Sequence, residues 1–110
     1  VMNPLVSEKY FTQKQNATVG FFEPFHAEKP EGTYRVFVMG ASTAVGFPYL
    51  QNGSFHRMLR HRLQQTYPDT KFEVINLALT AINSYALQDM ADEVIEQQPD
   101  AVLIYAGHNE

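Results

Sequence analysis

Three short groups of small and polar residues each follow an apolar run: Gly40-Ala41-Ser42-Thr43, the stretch from Asn76 to Ser84, and Gly107-His108-Asn109-Glu110. A serine two residues beyond a strand-ending glycine can project above a sheet edge, where its hydroxyl can attack a carbonyl carbon. The same hydroxyl, or that of Thr43, can instead cap its own turn, a common use of Ser and Thr at strand exits. Asn109, with Gly107 leaving room for it to turn inward, could donate an amide N–H to a developing oxyanion, or could bond its own turn. Backbone N–H groups of Ser42 and of the loop at Ala81 are further donors for such a hole.

What these groups lack is a base to activate the serine. His56 and His61 fall on a predicted helix and are expected on its solvent side, while His26 lies in an aromatic segment. His108 adjoins Asn109 and is expected to line a substrate pocket with Tyr49; no carboxylate is spaced to orient it as a base. Phe47, Pro48 and Tyr49 can form an apolar wall of that pocket. No spacing of His, Asp or Glu suggests a metal site, and no cofactor motif is found. A nucleophile elbow needs glycine where Ala44 stands, and a P-loop needs Gly-Lys-Ser/Thr where the chain has Gly46-Phe47. A dinucleotide fingerprint is missing as well, because Gly40 and Gly46 are the only glycines in that turn.

The elements that must position these groups follow from periodicity. Residues 34–39 form a run rich in strand formers that ends at Gly40. Ser54 can cap a helix whose Phe55, Met58, Leu59, Arg62 and Leu63 recur at helical spacing, with Arg62 at the edge by its stem, ending near Thr66 before Pro68. Residues 72–76 read as a second strand. Leu87, Met90, Ala91, Val94 and Ile95 mark a second amphipathic helix ending before Pro99, its other face carrying Asp89, Asp92, Glu93 and Glu96. The run 101–106 is wholly apolar, as expected of a parallel strand covered on both faces. The order β-α-β-α-β implies a doubly wound α/β sheet with right-handed crossovers, and ligands of such sheets gather beyond the carboxyl ends of the strands. All three groups fall at those ends.

The chain divides into an extended arm, residues 1–33, and an α/β unit, residues 34–110. The arm scatters Tyr10, Phe11, Phe21, Phe22 and Phe25 among polar residues and closes with Glu28-Lys29-Pro30-Glu31-Gly32. A length of 110 residues with 45% hydrophobic and 18% charged content predicts one folded domain. A net charge of -4, with Arg57, Arg60 and Arg62 spread around a helix, argues against a nucleic-acid partner. The absence of cysteine excludes disulfides without deciding the compartment. No apolar run approaches the length of a membrane span, about 20 residues.

In this order the motifs resemble those of the SGNH, or GDSL-type, hydrolase family over residues 34–110. Gly40-Ala41-Ser42 is similar to its first block, with Ala41 where the commonest form has Asp. The stretch from Val74 to Ser84 is similar to the second block, and Gly107-His108-Asn109-Glu110 to the third. The resemblance implies a flavodoxin-like three-layer α/β/α fold, of whose usual five strands about three are present, and hydrolysis of an ester of a carbohydrate or lipid. It implies Ser42 as nucleophile, Asn109 as oxyanion donor, and a backbone N–H at Ala81 in place of the family's glycine. Glu110 stands where Asp is usual. The family's Asp-x-x-His does not occur, so the base is expected from the remainder of the domain or from another chain covering the edge of strand three, and this chain by itself is expected to be inactive. The run from Arg35 to Glu110 is also similar to bacterial SGNH-like proteins with tetratricopeptide repeats downstream and an anchor upstream, which implies an envelope or periplasmic location for the parent protein, with this segment itself expected to be soluble. Ala41, Ala81 and Glu110 motivate a different reading, a non-catalytic binding or scaffold module that keeps the pocket. A flavodoxin-like phosphate binder at the Gly40 turn fits the topology but lacks a phosphate motif.

Overall fold

A computed structural model of the chain describes residues 24–46, 48–49 and 53–110. Tyr10, Phe11, Phe21, Phe22 and Phe47 lie outside the described residues. Strand β1, Thr33–Gly40, is followed by a single helical turn, α1, Ser42–Val45, and by helix α2, Phe55–Thr66. Strand β2, Lys71–Asn76, helix α3, Ser84–Glu96, and strand β3, Ala101–Tyr105, complete the order. The three strands are parallel in the order β2-β1-β3, with Val36 of β1 beside both Val74 and Ala101.

Alternation along β1 sends successive side chains to opposite faces, and each face has its own core. Phe37 and Met39 join Ile75, Leu77 and Leu79 under Leu87, Met90 and Val94 of α3. Val36 and Val38 join Val74, Ala44 and Val45 under Phe55, Leu59 and Leu63 of α2. One crossover steps from β1 to β2 and the other back past β1 to β3, so crossovers of one hand place their helices on opposite faces. The result is a three-layer α/β/α arrangement. Fully burying a side chain such as Phe37 stabilises the fold by about 1.5–3 kcal/mol, and β1, buried at every position but Tyr34, anchors both layers.

The amino ends of the strands are tied by charge. Arg35 is fully buried; its Nε donates to Glu73 at 2.7 Å, and its two terminal nitrogens donate to the carbonyls of Gln97 and His26. The guanidinium also stacks over Phe25, whose ring meets Phe37 edge-on, so residues 25 and 26 are bound to the α/β unit. Nearby, the Asp100 carboxylate accepts from Lys29 Nζ and from the Arg35 backbone N–H, both at 2.7 Å.

Several local expectations are corrected. The turn after β1 is helical at Ser42–Val45, closed by Gly46 in the left-handed region. Ser54 holds the N-cap position of α2, but its hydroxyl bonds the His56 ring rather than a backbone N–H. His56 is buried, not on the solvent side, because Ser54 and Asn76 satisfy its ring. Met58 and Ile95 are exposed, at 60% and 65%, because the buried stripes run through 55, 59 and 63 and through 87, 90 and 94. Arg62 is likewise exposed. Strand β3 is covered on neither face to the degree of β1: Val102, Leu103, Ile104 and Tyr105 are 37–66% exposed.

Candidate functional site

The three motif groups meet at the carboxyl ends of the strands. Gly40 makes the approach possible. A Cβ there would overlap the Tyr105 carbonyl and come within 2.8 Å of Ala44 Cβ. The Ala41 N–H donates to the Tyr105 carbonyl at 3.3 Å, and Thr43 Oγ1 lies 3.2 Å from His108 Nε2. The first and third groups are thereby joined directly.

Ser42 is the first residue of α1 and is half-buried, and its hydroxyl has no hydrogen-bond partner among the described residues. It does not cap its own turn. Its backbone N–H stands at the start of a helical turn, where donors have no intrahelical acceptor.

The second group continues the ladder beside β1, with Leu77 and Leu79 N–H groups donating to the carbonyls of Val38 and Gly40. The backbone then swings out through Thr80 and Ala81. Ala81 has φ +58°, the left-handed region that an L-residue with a Cβ enters only at a cost, and it is exposed. Asn83 caps α3 by accepting the Ala86 N–H. A cavity of about 370 Å³ opens here, lined by Ala81, Ile82, Asn83, Tyr85, Ala86 and Asp89.

The third group is locked onto the second. Asn109 Nδ2 donates to the Ile82 carbonyl at 2.8 Å, so the Asn bonds the neighbouring loop and not its own turn. The Glu110 carboxylate accepts from both the N–H and the hydroxyl of Ser84 at 2.9 Å. Since α3 carries no acidic residue in its own first turn, Glu110 supplies the negative charge that favours a helix N-terminus. Gly107 is required for its backbone, φ +112°, and not for space, because a Cβ there would meet nothing within 4 Å.

Of the residues singled out in the sequence, Ser42, Ala81, His108 and Asn109 are thus gathered on one network of loops. The His108 ring stands edge-on to Tyr105 with centroids 5.3 Å apart. Tyr49 is 78% exposed beside Gly53, in the connection between α1 and α2. A larger cleft of about 1030 Å³ runs along the outer edge of β2 between α2 and residues 24–26; none of these candidate residues lines it. Among the described residues, no group of three or more His, Asp or Glu side chains could hold a metal ion, and no helix is long and apolar enough to cross a membrane.

Reasoning from the sequence missed the buried trio Ser54, His56 and Asn76 below the Ser42 turn. His56 sits three residues before Leu59 and seven before Leu63, the spacing of the buried stripe of α2, and that spacing could have revealed it. No family model, no curated protein and no solved structure matches the chain.

Proposed function

We propose that this chain carries the nucleophile and oxyanion-hole part of an SGNH-type serine esterase, acting on an ester of a carbohydrate or a lipid. In this reading Ser42 Oγ attacks the ester carbonyl carbon. The N–H groups of Ser42 and Ala81 and the second amide proton of Asn109 receive the developing oxyanion. A base supplied from outside these 110 residues takes the Ser42 proton and returns it to the departing alcohol, leaving an acyl-serine that water hydrolyses. His108 and Tyr49 border the substrate.

The observation that carries this reading is the mutual locking of three sequence-distant loops beside Ser42, whose hydroxyl has no hydrogen-bond partner among the described residues. Asn109 on Ile82, Glu110 on Ser84 and His108 on Thr43 fix the third group against the other two. The exposed apolar side chains of β3 support a covering segment there, from the same domain or another chain.

A second reading, a non-catalytic module that holds an acylated or glycan ligand, is favoured by one detail. One Asn109 amide proton and the whole Glu110 carboxylate are committed to loop structure rather than left to chemistry.

A fluorophosphonate probe applied to the intact gene product separates the two. Labelling mapped to Ser42, with hydrolysis of a short-chain chromogenic ester falling about a thousandfold or more in Ser42→Ala, is the expected result. Ligand binding without labelling favours the binding module. Turnover that survives Ser42→Ala overturns the esterase assignment.

A further inference from the structure

Beneath the Ser42 turn lies a polar trio that the proposed reaction does not use. Ser54, His56 and Asn76 are 0%, 1% and 1% exposed, so a substrate at Ser42 does not reach them, and His56 only borders the large cleft beside β2. Backbone partners set the Asn76 amide orientation: Oδ1 accepts the Ala78 N–H and Nδ2 donates to the Ala44 carbonyl, both at 2.8 Å. A flipped amide would set N–H against N–H and carbonyl against carbonyl. Asn76 Nδ2 also lies 3.2 Å from His56 Nδ1. Because Nδ2 can only donate, His56 Nδ1 must accept, and the neutral ring carries its proton on Nε2. The Ser54 hydroxyl is hydrogen-bonded to that same Nδ1, and in this tautomer the hydroxyl donates and shares the single Nδ1 lone pair with the Asn76 N–H.

The chain of bonds ends on Ala44, the third residue of α1, whose first residue is Ser42. A four-residue helical turn with no side-chain N-cap bond cannot hold itself in water. Buried polar groups are unfavourable unless bonded, and apolar side chains could have filled the same volume, but a donor aimed at the Ala44 carbonyl adds a directional hold on α1 to the packing of Ala44 and Val45. We infer that Asn76, held by the Ala78 N–H and by His56 in its Nε2–H form, which Ser54 holds in turn, is the device that positions the Ser42 turn. All three are positioning residues that touch no substrate. The assignment deepens the reading of Ser42 as nucleophile and rests on it for its catalytic meaning, while its geometry can be tested apart from any activity.

The first measurement is the tautomer of His56, from long-range proton–nitrogen NMR spectra of the nitrogen-15-labelled protein. An unprotonated Nδ1 with a protonated Nε2 is expected; an Nδ1–H ring or an imidazolium at neutral pH overturns the inference. The second compares His56→Asn, whose amide oxygen can accept near the Nδ1 position, with His56→Leu, which accepts nothing. Amide hydrogen exchange at Ala44, Val45 and Gly46 should be about tenfold faster in His56→Leu, the loss of about one hydrogen bond, and within about twofold of the parent in His56→Asn. Equal acceleration in both variants would make the histidine mere packing and refute the inference. If neither variant folds, the tautomer in the parent protein still decides. Fluorophosphonate reactivity of Ser42, read in parallel, should drop in His56→Leu and recover in His56→Asn. Absence of labelling even in the parent would count against the esterase reading alone and leave the strut standing on the tautomer and the exchange data.

Discussion

Replacing Ala81 by glycine should stabilise this protein, against the usual sign of an alanine-to-glycine change. Ala81 sits at φ +58° and is exposed, so its methyl group contributes strain and little burial. A left-handed L-residue is unfavourable by about 1–2 kcal/mol, and glycine relieves that. Against this, glycine widens the unfolded ensemble and gives back about 0.4–1 kcal/mol. The difference leaves a net gain of about 0.5–1 kcal/mol, which for a domain of this size raises the melting temperature by about 2–8 °C. Urea denaturation with an unchanged slope, together with a thermal melt, measures it. Gln98→Gly supplies a control outside the site, since Gln98 has φ +57° just past the end of α3, and it should shift stability in the same direction. Ala91→Gly, inside α3, should lose about 1 kcal/mol. If Ala81→Gly behaves like Ala91→Gly, the second group does not turn through a left-handed residue, and the proposed oxyanion role of its N–H loses its support.

Arg35→Met should destabilise by about 3–5 kcal/mol in equilibrium denaturation, because it strands Glu73 and the Gln97 and His26 carbonyls at a site where the guanidinium is fully buried. An effect under about 1 kcal/mol would refute the buried network. Gly40→Ala should lose about 1–3 kcal/mol by overpacking against the Tyr105 carbonyl and Ala44, and should accelerate amide exchange at Ala41; a neutral result would place β1 and β3 further apart at this end. The Lys29 ammonium and the Arg35 backbone N–H hold the Asp100 carboxyl below its ordinary value of 3.8. Its contribution is therefore complete above about pH 4 and is lost as pH falls through the lowered folded value. Asp100→Ala should cost about 1 kcal/mol at neutral pH, a charge-assisted pair discounted for its partial exposure, and the gap to the parent should close in acid melts. A gap that is constant with pH would assign the loss to something other than the carboxylate.

Most of the fold was legible because its elements carry strong patterns. The runs at 34–39, 72–76 and 101–106 lie within or beside the observed strands, and α3 follows the spacing of Leu87, Met90 and Val94. Features held by single tertiary bonds were not legible. The turn α1 has four residues and no period to detect, and it exists because Gly46 can turn left-handed and Asn76 reaches the Ala44 carbonyl from a strand 32 positions away. His56 looks like a surface residue until Ser54 and Asn76 are brought to its ring. At the site, sequence named Ser42, Ala81, His108 and Asn109, yet the acceptor of the Asn109 amide, Ile82, and the role of Glu110 as an N-terminal partner of α3 depend on where the loops cross. The left-handed turn at Ala81 was half visible, as an alanine where a related pattern has glycine.

The two ends of the sheet are built from different chemistry, and the division has a consequence for how the protein should respond to acid. At the amino ends, stability depends on ionised groups: Arg35 with Glu73, and Lys29 with Asp100. At the carboxyl ends, loop positions depend mostly on amide, hydroxyl and carbonyl groups, with the Glu110 carboxylate on Ser84 and the imidazoles of His56 and His108 as the exceptions. As the pH falls through the lowered range of Asp100, the Arg35 backbone N–H and Lys29 lose their carboxylate acceptor, so residues 29–35 and the start of β3 should loosen while the backbone ladder between β1 and the second group, which has no carboxylate in it, stays closed. Residue-resolved hydrogen exchange during an acid titration would show this order as early loss of protection at Arg35 and late loss at Leu77 and Leu79, whose N–H groups donate to the carbonyls of Val38 and Gly40. Simultaneous loss at both ends would mean the sheet opens as one cooperative unit, and the amino-end charges would then govern the integrity of the site itself.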